Sequence, residues 1–388
     1  MDPFAEIRPY QDAEVRPVLD RLLTDNHFLD LMGRFRVPRL SRWFPFLIRP
    51  LVRHRMAREI RDVHCVDDLQ QVIARYVDHA VEHTTSGLTH SGLEQLSPDR
   101  AYLFVSNHRD IVFDPTVVNY MLWHNGFGTS RIAIGDNLLK NPLFAEMMRL
   151  NKSFVVKRNL TSPREMRDVY STLSAFVNHS IEEGHSIWIA QREGRAKDGI
   201  DATDPAIIKM FYMSQKTSGD AFPEVIRRLS IVPVSIAYEY DPCDIAKASE
   251  LEERGRTGAY VKTDTEDSEH IIRGITGFKG RVHVGFGAPL TGEYENAKAV
   301  AQAIDTAILD AYKLFPTHHL AYERLRELQP EKGYPVLSWD EKQAGVEPAR
   351  RWLEGQLAQC PEALHPYLLG MYANPVIRKY GIEVDEGQ

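Results

Sequence analysis

The sequence predicts an α/β fold: a layered domain with a largely parallel central sheet covered by helices, an N-terminal helical module and C-terminal helices. Between Ser86 and about Leu290, short apolar runs rich in β-branched residues alternate with segments of helical periodicity. Most of these runs have no polar face. Strands of this kind are buried on both sides by helices, which is typical of a parallel sheet.

Six apolar runs predict the strands of this sheet. They are Ala101–Ser106, Arg131–Ile134, Ser153–Lys157, Ser186–Ala190, Ile231–Tyr238 and Arg281–Phe286. Helix-start signals lie between them, among them Asp114-Pro115, Asp204-Pro205 and the capping box from Ser162 to Glu165. Pro233 has no N–H to donate, so the strand that contains it is predicted to lie at a sheet edge or to bend.

Changes in pattern predict three parts of the chain. Residues 1–85 form the N-terminal helical module, in which apolar residues recur three and four apart. Residues 86–292 form the α/β domain, and residues 293–388 form a C-terminal helical extension with helices over 297–313, 316–328 and 340–357. The charged stretch 241–280 predicts a helix and a long surface loop, and such loops are often functional.

Composition narrows the classes of function. The chain has 388 residues, 43% of them hydrophobic, and a net charge of −7, which favours a globular protein and argues against a nucleic-acid partner. The three cysteines are far apart, so neither a disulfide framework nor a zinc site is predicted, and a reducing compartment is expected. Neither a signal-peptide pattern nor an apolar run of about 18 residues occurs.

One segment, Arg39–Arg55, interleaves arginines with Trp43, Phe44, Phe46 and Leu47. Arginine attracts anionic lipid headgroups while tryptophan and phenylalanine enter the acyl boundary, so the segment predicts contact with a membrane surface. A helical hairpin broken at Pro45, packed on the next domain with its arginines solvated, explains the same residues equally well.

The first cluster with chemical potential is Asn107–Asp114, which directly follows a predicted strand. A histidine held by a carboxylate can act as a general base, and His108 has Asp110 and Asp114 within reach in sequence. Asp114 precedes Pro115 and could instead be only the N-cap of a helix. His-Arg-Asp also opens the kinase catalytic loop, but the asparagine that this loop requires is replaced by Pro115.

Two basic loops follow other predicted strands. One contains Lys157 and Arg158, and the other contains Glu193, Gly194, Arg195 and Lys197. Arginine forks and lysine charges beside backbone N–H groups that glycine makes accessible can bind a phosphate or another anion. Each loop taken alone also fits a solvated turn.

The ordered set NHRDIVFD, FVVKR, QREGRAKDG and IVPVSIAYE resembles the four sequence blocks of the glycerolipid acyltransferases, the glycerol-3-phosphate and 1-acylglycerol-3-phosphate acyltransferases. The resemblance covers roughly residues 86 to 290. Two departures stand out. The family aspartate of the first block falls on Phe113, one residue before Asp114, and in the third block Glu193 adjoins a single glycine while Ala196 replaces a serine.

The resemblance implies an O-acyltransferase that moves a fatty acyl group from acyl-CoA or acyl-carrier protein to a hydroxyl of glycerol 3-phosphate or a lysophospholipid. His108 would be the general base and Asp114 would orient it. Binding of the phosphate-bearing or lysolipid acceptor would fall to the residues of the two basic loops, namely Lys157, Arg158, Glu193, Gly194, Arg195 and Lys197.

The same resemblance implies no metal and no cofactor beyond the acyl thioester co-substrate. We expect a cytoplasmic protein, peripheral on the inner face of the membrane through Arg39–Arg55. The main alternative is a non-catalytic lipid-binding protein of the membrane surface with a decayed acyltransferase site. A hydrolase or a phosphate-loop nucleotide enzyme is disfavoured because neither Gly-x-Ser-x-Gly nor Gly-x-x-x-x-Gly-Lys-Ser occurs.

Overall fold

A single seven-stranded sheet organises the chain, as seen in a computed structural model that describes residues 2–36, 44–139, 141–158, 160–263 and 265–383. In chain order the strands are β1 (Gly87–Ser91), β2 (Leu103–Ser106), β3 (Arg131–Gly135), β4 (Ser153–Val156), β5 (Ile187–Ala190), β6 (Ile231–Tyr238) and β7 (Arg281–Phe286). Their order across the sheet is β1-β7-β6-β2-β5-β3-β4. Only the β6–β7 pair is antiparallel among these strands.

Fifteen α-helices are present in the described ranges. Those before the sheet are α1 (Asp12–Thr24), α2 (Asn26–Arg36), α3 (Pro45–Glu59) and α4 (Val66–Thr84). Those between strands are α5 (Phe113–His124), α6 (Pro142–Leu150), α7 (Pro163–Glu182), α8 (Pro205–Ser218), α9 (Phe222–Arg228), α10 (Asp244–Thr257) and α11 (Glu266–Thr276). The last four are α12 (Ala297–Ala311), α13 (Pro316–Leu328), α14 (Val346–Gln359) and α15 (His365–Lys379).

The sheet separates two hydrophobic layers. On one face, alternate residues of the central strands pack with α7, α8 and α12, as Val105 does with Phe176 and Phe211. On the other face, Phe104, Trp188 and Val234 pack with α5. Burial of a mainly parallel sheet on both faces confirms the predicted α/β class.

The six predicted strands are confirmed, two with the predicted bounds and four with one end shifted by one or two residues. Sequence reasoning missed β1, whose Thr89, His90 and Ser91 are exposed at the sheet edge. The edge position that Pro233 suggested is wrong, because β6 lies inside the sheet between β7 and β2; the alternative of a bend stays a prediction. Pro233 is tolerated there because the β6–β7 register ends at the neighbouring pair Val234–Phe286, where a missing N–H costs little ladder pairing.

Helices outside the strand region pack partly on the sheet and partly on each other. The helix α12, which lies beyond residue 292, contributes Val300 and Ile304 to one sheet face. The helices α13, α14 and α15 share a separate core around Tyr372. The last predicted helix begins at Val346 rather than at Asp340. In the N-terminal region, α1 to α4 enclose a fourth apolar cluster around Leu22 and Val52.

Candidate active site

His108 lies beyond the carboxyl end of β2, at an edge where parallel strands commonly deliver functional groups. The turn after it is closed by Asp110, whose Oδ1 accepts hydrogen bonds from the N–H groups of Val112 (3.0 Å) and Phe113 (2.8 Å). Helix α5 therefore begins at Phe113, with Asp114 already inside its first turn. The alternative reading of Asp114 as the N-cap is wrong, since Asp110 binds the N–H groups at the helix start.

Asp114 is turned back toward the histidine. Its Oδ2 lies 2.8 Å from His108 Nδ1 and also accepts the N–H groups of Arg109 (2.6 Å) and Asp110 (2.9 Å). Its Oδ1 accepts the hydroxyl of Tyr238 at 2.6 Å. The extra residue between histidine and aspartate is thus absorbed by the loop, because the first helical turn directs Asp114 at the ring.

Electrostatics favour Asp114 as the ionised partner. Burial alone raises the pKa of a carboxyl group, but the hydrogen bonds from His108 and Tyr238 outweigh burial and hold the pKa of Asp114 below its usual range. Burial and the nearby charge of Asp114 raise the pKa of Asp110. Of the two aspartates, the one whose ionised form the surroundings favour is thus the one that contacts the imidazole.

A carboxylate only accepts hydrogen bonds, so His108 donates through Nδ1–H and keeps the lone pair of Nε2 for another group. Its ring contacts the edge of Trp188, with centroids 5.7 Å apart at an interplanar angle of 70°. The side chain is 15% exposed. The ring is thus held by Asp114 and Trp188, and its Nε2 is the nitrogen that the contact with Asp114 does not use.

The loop after β5 is fastened to the His108 loop. The backbone N–H of Ala196 donates to the carbonyl of His108 at 2.8 Å. The buried guanidinium of Arg109 donates to the carbonyls of Ala196 (3.0 Å) and Gly199 (3.3 Å) and to Asp201 Oδ2 (2.7 Å). The predicted base and the predicted anion-binding loop are therefore held side by side.

Two of the predicted anion-binding cations, the buried Arg195 and the partly buried Lys197, are already partnered. Arg195 lies 2.8 Å from Nδ1 of His270 on α11, and burial together with Arg195 lowers the pKa of His270 to about 4, so this nitrogen accepts. Lys197 forms an ion pair with Glu250 of α10, whose side chain is 1% exposed. The charged stretch 241–280, predicted as a helix and a long loop, folds into α10 and α11 and packs on these cations.

Helix α11 also covers the turn of the His108 loop. The position of Gly274 is so close to Asp110 that an added Cβ would lie 2.2 Å from Asp110 Oδ2. Only a residue without a side chain fits between the helix and this carboxylate. Because Gly274 has no side chain, α11 can lie this close to the His108 loop.

The remaining predicted binding residues divide into two places. Arg158 packs on Gly135 and forms an ion pair with Glu193 at 3.3 Å, which joins the loops after β4 and β5. Gly194 adopts φ +78° at the tip of the second loop, a conformation that favours glycine. Lys157 instead points to Glu6 of the N-terminal segment (3.1 Å), so it is not brought together with the others.

Sequence reasoning missed four residues of the site: Trp188, Tyr238, Glu250 and His270. Trp188 and Tyr238 share the sheet face of His108, and strand periodicity could have placed them there. His270 lies far along the chain on α11, and no local pattern connects it with Arg195.

Known proteins resemble part of this chain. Residues 87–237, from β1 to nearly the end of β6, match the family model described as Acyltransferase. A similar solved structure is the 1-acyl-sn-glycerophosphate (LPA) acyltransferase PlsC from Thermotoga maritima, with 15% identity, a TM-score of 0.39, and coverage of 74% of this chain and 94% of that chain. No curated protein matches the sequence. The family match confirms the predicted enzyme class: the chain carries, over residues 87–237, a domain of the acyltransferase family.

Proposed function

We propose that the chain transfers a fatty acyl group from an acyl thioester, acyl-CoA or acyl-carrier protein, to a hydroxyl of glycerol 3-phosphate or a lysophospholipid. The observation that carries the proposal is the 2.8 Å contact between His108 Nδ1 and Asp114 Oδ2, which fixes the imidazole with Nε2 free. A histidine held by a carboxylate in this way suits a reaction that begins with removal of a hydroxyl proton.

The reaction follows from that geometry. The Nε2 lone pair of His108 takes the proton of the acceptor hydroxyl while the hydroxyl oxygen forms a bond to the thioester carbonyl carbon. Asp114 stays ionised and stabilises the imidazolium that results. The tetrahedral oxyanion then collapses, the C–S bond breaks, and the thiolate leaves and recovers the proton from the imidazolium. The products are an ester and a thiol, and no acyl-enzyme intermediate is needed.

The acceptor's phosphate would bind at the loop after β5. One N–H of Arg195 is used by His270 and one ammonium proton of Lys197 is directed at Glu250, which leaves further donors on each cation. The backbone at Gly194 and the Arg158–Glu193 pair lie on the same loop system. Lys157 would contribute only after leaving Glu6, an exposed pair that costs little to break.

We further propose that the protein works at the inner face of the membrane, bound peripherally through α3. No helix among the described residues is long and apolar enough to cross a bilayer. Ile48, Val52 and Met56 of α3 are buried, yet Phe46, Leu47 and Leu51 on its outer side are 60–62% exposed. Exposed apolar side chains grouped on one helix favour insertion into a lipid interface.

Charge on the same helix supports this role in part. Arg53 and Arg55 belong to α3, whereas Arg49 is held by Asp30 through contacts of 2.7 and 2.6 Å. Residues 39–43 of the predicted membrane segment lie outside the described residues. The proposed lipid contact therefore rests on the outer side of α3 and on Arg53 and Arg55, the second of which lies 3.3 Å from Glu59 at the surface.

An acceptor panel tests the function. The parent protein is incubated with palmitoyl-CoA or palmitoyl-acyl-carrier protein and with glycerol 3-phosphate, lysophosphatidate or lysophosphatidylethanolamine, and acylated products are identified by mass. We expect acceptor-dependent thiol release with at least one phosphate-bearing acceptor. Release without an acylated product would indicate thioester hydrolysis, and no release with any pair would refute the proposal.

A further inference from the structure

Tyr238 stands behind the His108–Asp114 pair. Its hydroxyl donates to Asp114 Oδ1 at 2.6 Å, on the side of the carboxylate opposite to the oxygen that contacts His108. The tyrosine is 5% exposed. No sequence motif discussed above assigns it a role, and it does not reach the histidine directly.

The fold holds Tyr238 firmly in place. It ends β6, where it pairs with Val282 of β7. The side chain of Asn107, the residue before His108, bonds both the N–H (2.7 Å) and the carbonyl (3.0 Å) of Ile236 in the same strand. The strand that carries Tyr238 and the loop that carries His108 are therefore locked together by a buried amide.

The two carboxylate oxygens of Asp114 accept hydrogen bonds from different sets of donors. Oδ2 receives three donors, from His108, Arg109 and Asp110, whereas Tyr238 is the donor that Oδ1 receives within the described part of the chain. Burial and the charge of Asp114 raise the pKa of Tyr238 well above its ordinary value, so its hydroxyl stays protonated and donating. The hydrogen bond from Tyr238 restricts rotation of the Asp114 carboxylate about its Cβ–Cγ bond, and this rotation determines where Oδ2 lies relative to His108.

We propose that Tyr238 is a positioning residue of the acyl-transfer site, which acts on His108 through Asp114 by fixing the orientation of the carboxylate. The expected effect on kcat rests on the proposed function, whereas the effect on the orientation of the His108 ring can be measured without substrate. The positioning role predicts that loss of the hydroxyl slows the chemical step and leaves acceptor binding unchanged.

The kinetic test compares Tyr238→Phe with Tyr102→Phe. Tyr102 is a matched control, since it is 2% exposed, lies at the other end of the β2 region on the same sheet face, and its hydroxyl accepts the N–H of Ser97. We expect Tyr238→Phe to lower kcat about ten- to a hundredfold with KM within about twofold, as loss of a hydrogen bond to a charged group predicts. Tyr102→Phe should retain the parent kcat. Equal kcat values in Tyr238→Phe and the parent would overturn the proposal.

A double-mutant cycle separates positioning from plain stability. If Tyr238 acts through Asp114, Tyr238→Phe should cost less than about threefold in an Asp114→Asn background, because the charge that it orients is gone. Full, multiplicative losses would show that Tyr238 acts independently of Asp114. Thermal unfolding of each variant confirms that the folded fraction is comparable.

A spectroscopic test needs no activity. With ¹⁵N-labelled histidine, the ring signals of His108 are identified by their loss in His108→Asn. Tyr238→Phe should shift the Nδ1 signal of His108 and Tyr102→Phe should leave it in place. An unchanged signal in Tyr238→Phe would refute the positioning role. A shifted signal in Tyr238→Phe, combined with a parent protein that transfers no acyl group, would refute only the proposed reaction.

Discussion

Oδ2 of Asp114 lies 2.8 Å from Nδ1 of His108, although Asp114 stands one residue beyond the position that the resemblance assigns to the orienting acid. Helix α5 starts at Phe113, and its first turn brings the next side chain back over the loop. Asp110, the nearer acid in sequence, is used instead to close the turn.

The two aspartates should therefore respond differently to the same substitution. Asp114→Asn is expected to lower kcat by about a hundredfold or more, because the amide removes the charge that stabilises the imidazolium. Asp110→Asn keeps an oxygen that can accept the N–H groups of Val112 and Phe113, so its kcat should remain within about tenfold of the parent. Steady-state kinetics on both variants check the order, and a larger loss in Asp110→Asn would move the orienting role to that residue.

Arg195 should affect the acceptor rather than the chemical step. Arg195→Gln removes a buried positive charge beside the predicted phosphate position, and we expect the acceptor KM to rise about tenfold with kcat little changed. Arg192→Gln is the matched control, since Arg192 lies in the same loop, partly exposed, 3.8 Å from Asp198. Equal KM values for the two variants would remove Arg195 from the acceptor site.

Gly274 and Gly355 make a matched pair of helical glycines. An alanine Cβ at Gly274 would meet Asp110 Oδ2 at 2.2 Å, whereas at Gly355 nothing lies within 4 Å. Gly355→Ala should raise the free energy of unfolding by about 0.5–1 kcal/mol, the ordinary gain of alanine over glycine in a helix. Gly274→Ala should lower it and also lower kcat, because α11 is pushed off the His108 loop. Urea unfolding and kinetics check both, and a stabilised, fully active Gly274→Ala would contradict the described packing.

The outer side of α3 should bind anionic membranes. Replacement of Phe46, Leu47 and Leu51 by serine is expected to reduce co-sedimentation with phosphatidylglycerol vesicles at least about tenfold, because the three side chains are exposed and apolar. Val261, Ile272 and Phe278 are also exposed apolar residues, and their replacement by serine is the control. Arg53→Gln with Arg55→Gln should weaken binding mainly at low salt. Unchanged vesicle binding in the α3 variant would exclude this contact.

The sequence predicted the sheet well because buried strands carry a strong local signal. Runs such as Ile231–Tyr238 are apolar throughout, so their identity as strands does not depend on distant residues. The edge strand β1 escaped because its side chains are exposed and polar. Pro233 misled the prediction of strand position, since one absent N–H is tolerated inside the sheet where the neighbouring register ends.

The candidate site was predictable only where its contacts are local. His108 and Asp114 lie within one loop and helix start, so their pairing could be proposed from spacing. Tyr238, His270 and Glu250 reach the site from β6, α11 and α10, and the partners of Arg195 and Lys197 lie more than a full helix away in sequence. Strand periodicity could have placed Tyr238 on its sheet face, but spacing gives no information about the contacts of His270 and Glu250.

The most direct measurement is thiol release from palmitoyl-CoA with the preferred acceptor, compared between His108→Ala and His124→Ala. His124 also contacts an aspartate, Asp78 at 3.0 Å, but at the exposed far end of α5. We expect His108→Ala to lose at least about a hundredfold in kcat while remaining folded, and His124→Ala to keep the parent rate. A folded His108→Ala variant with near-parent turnover would contradict the assignment of His108 as the general base.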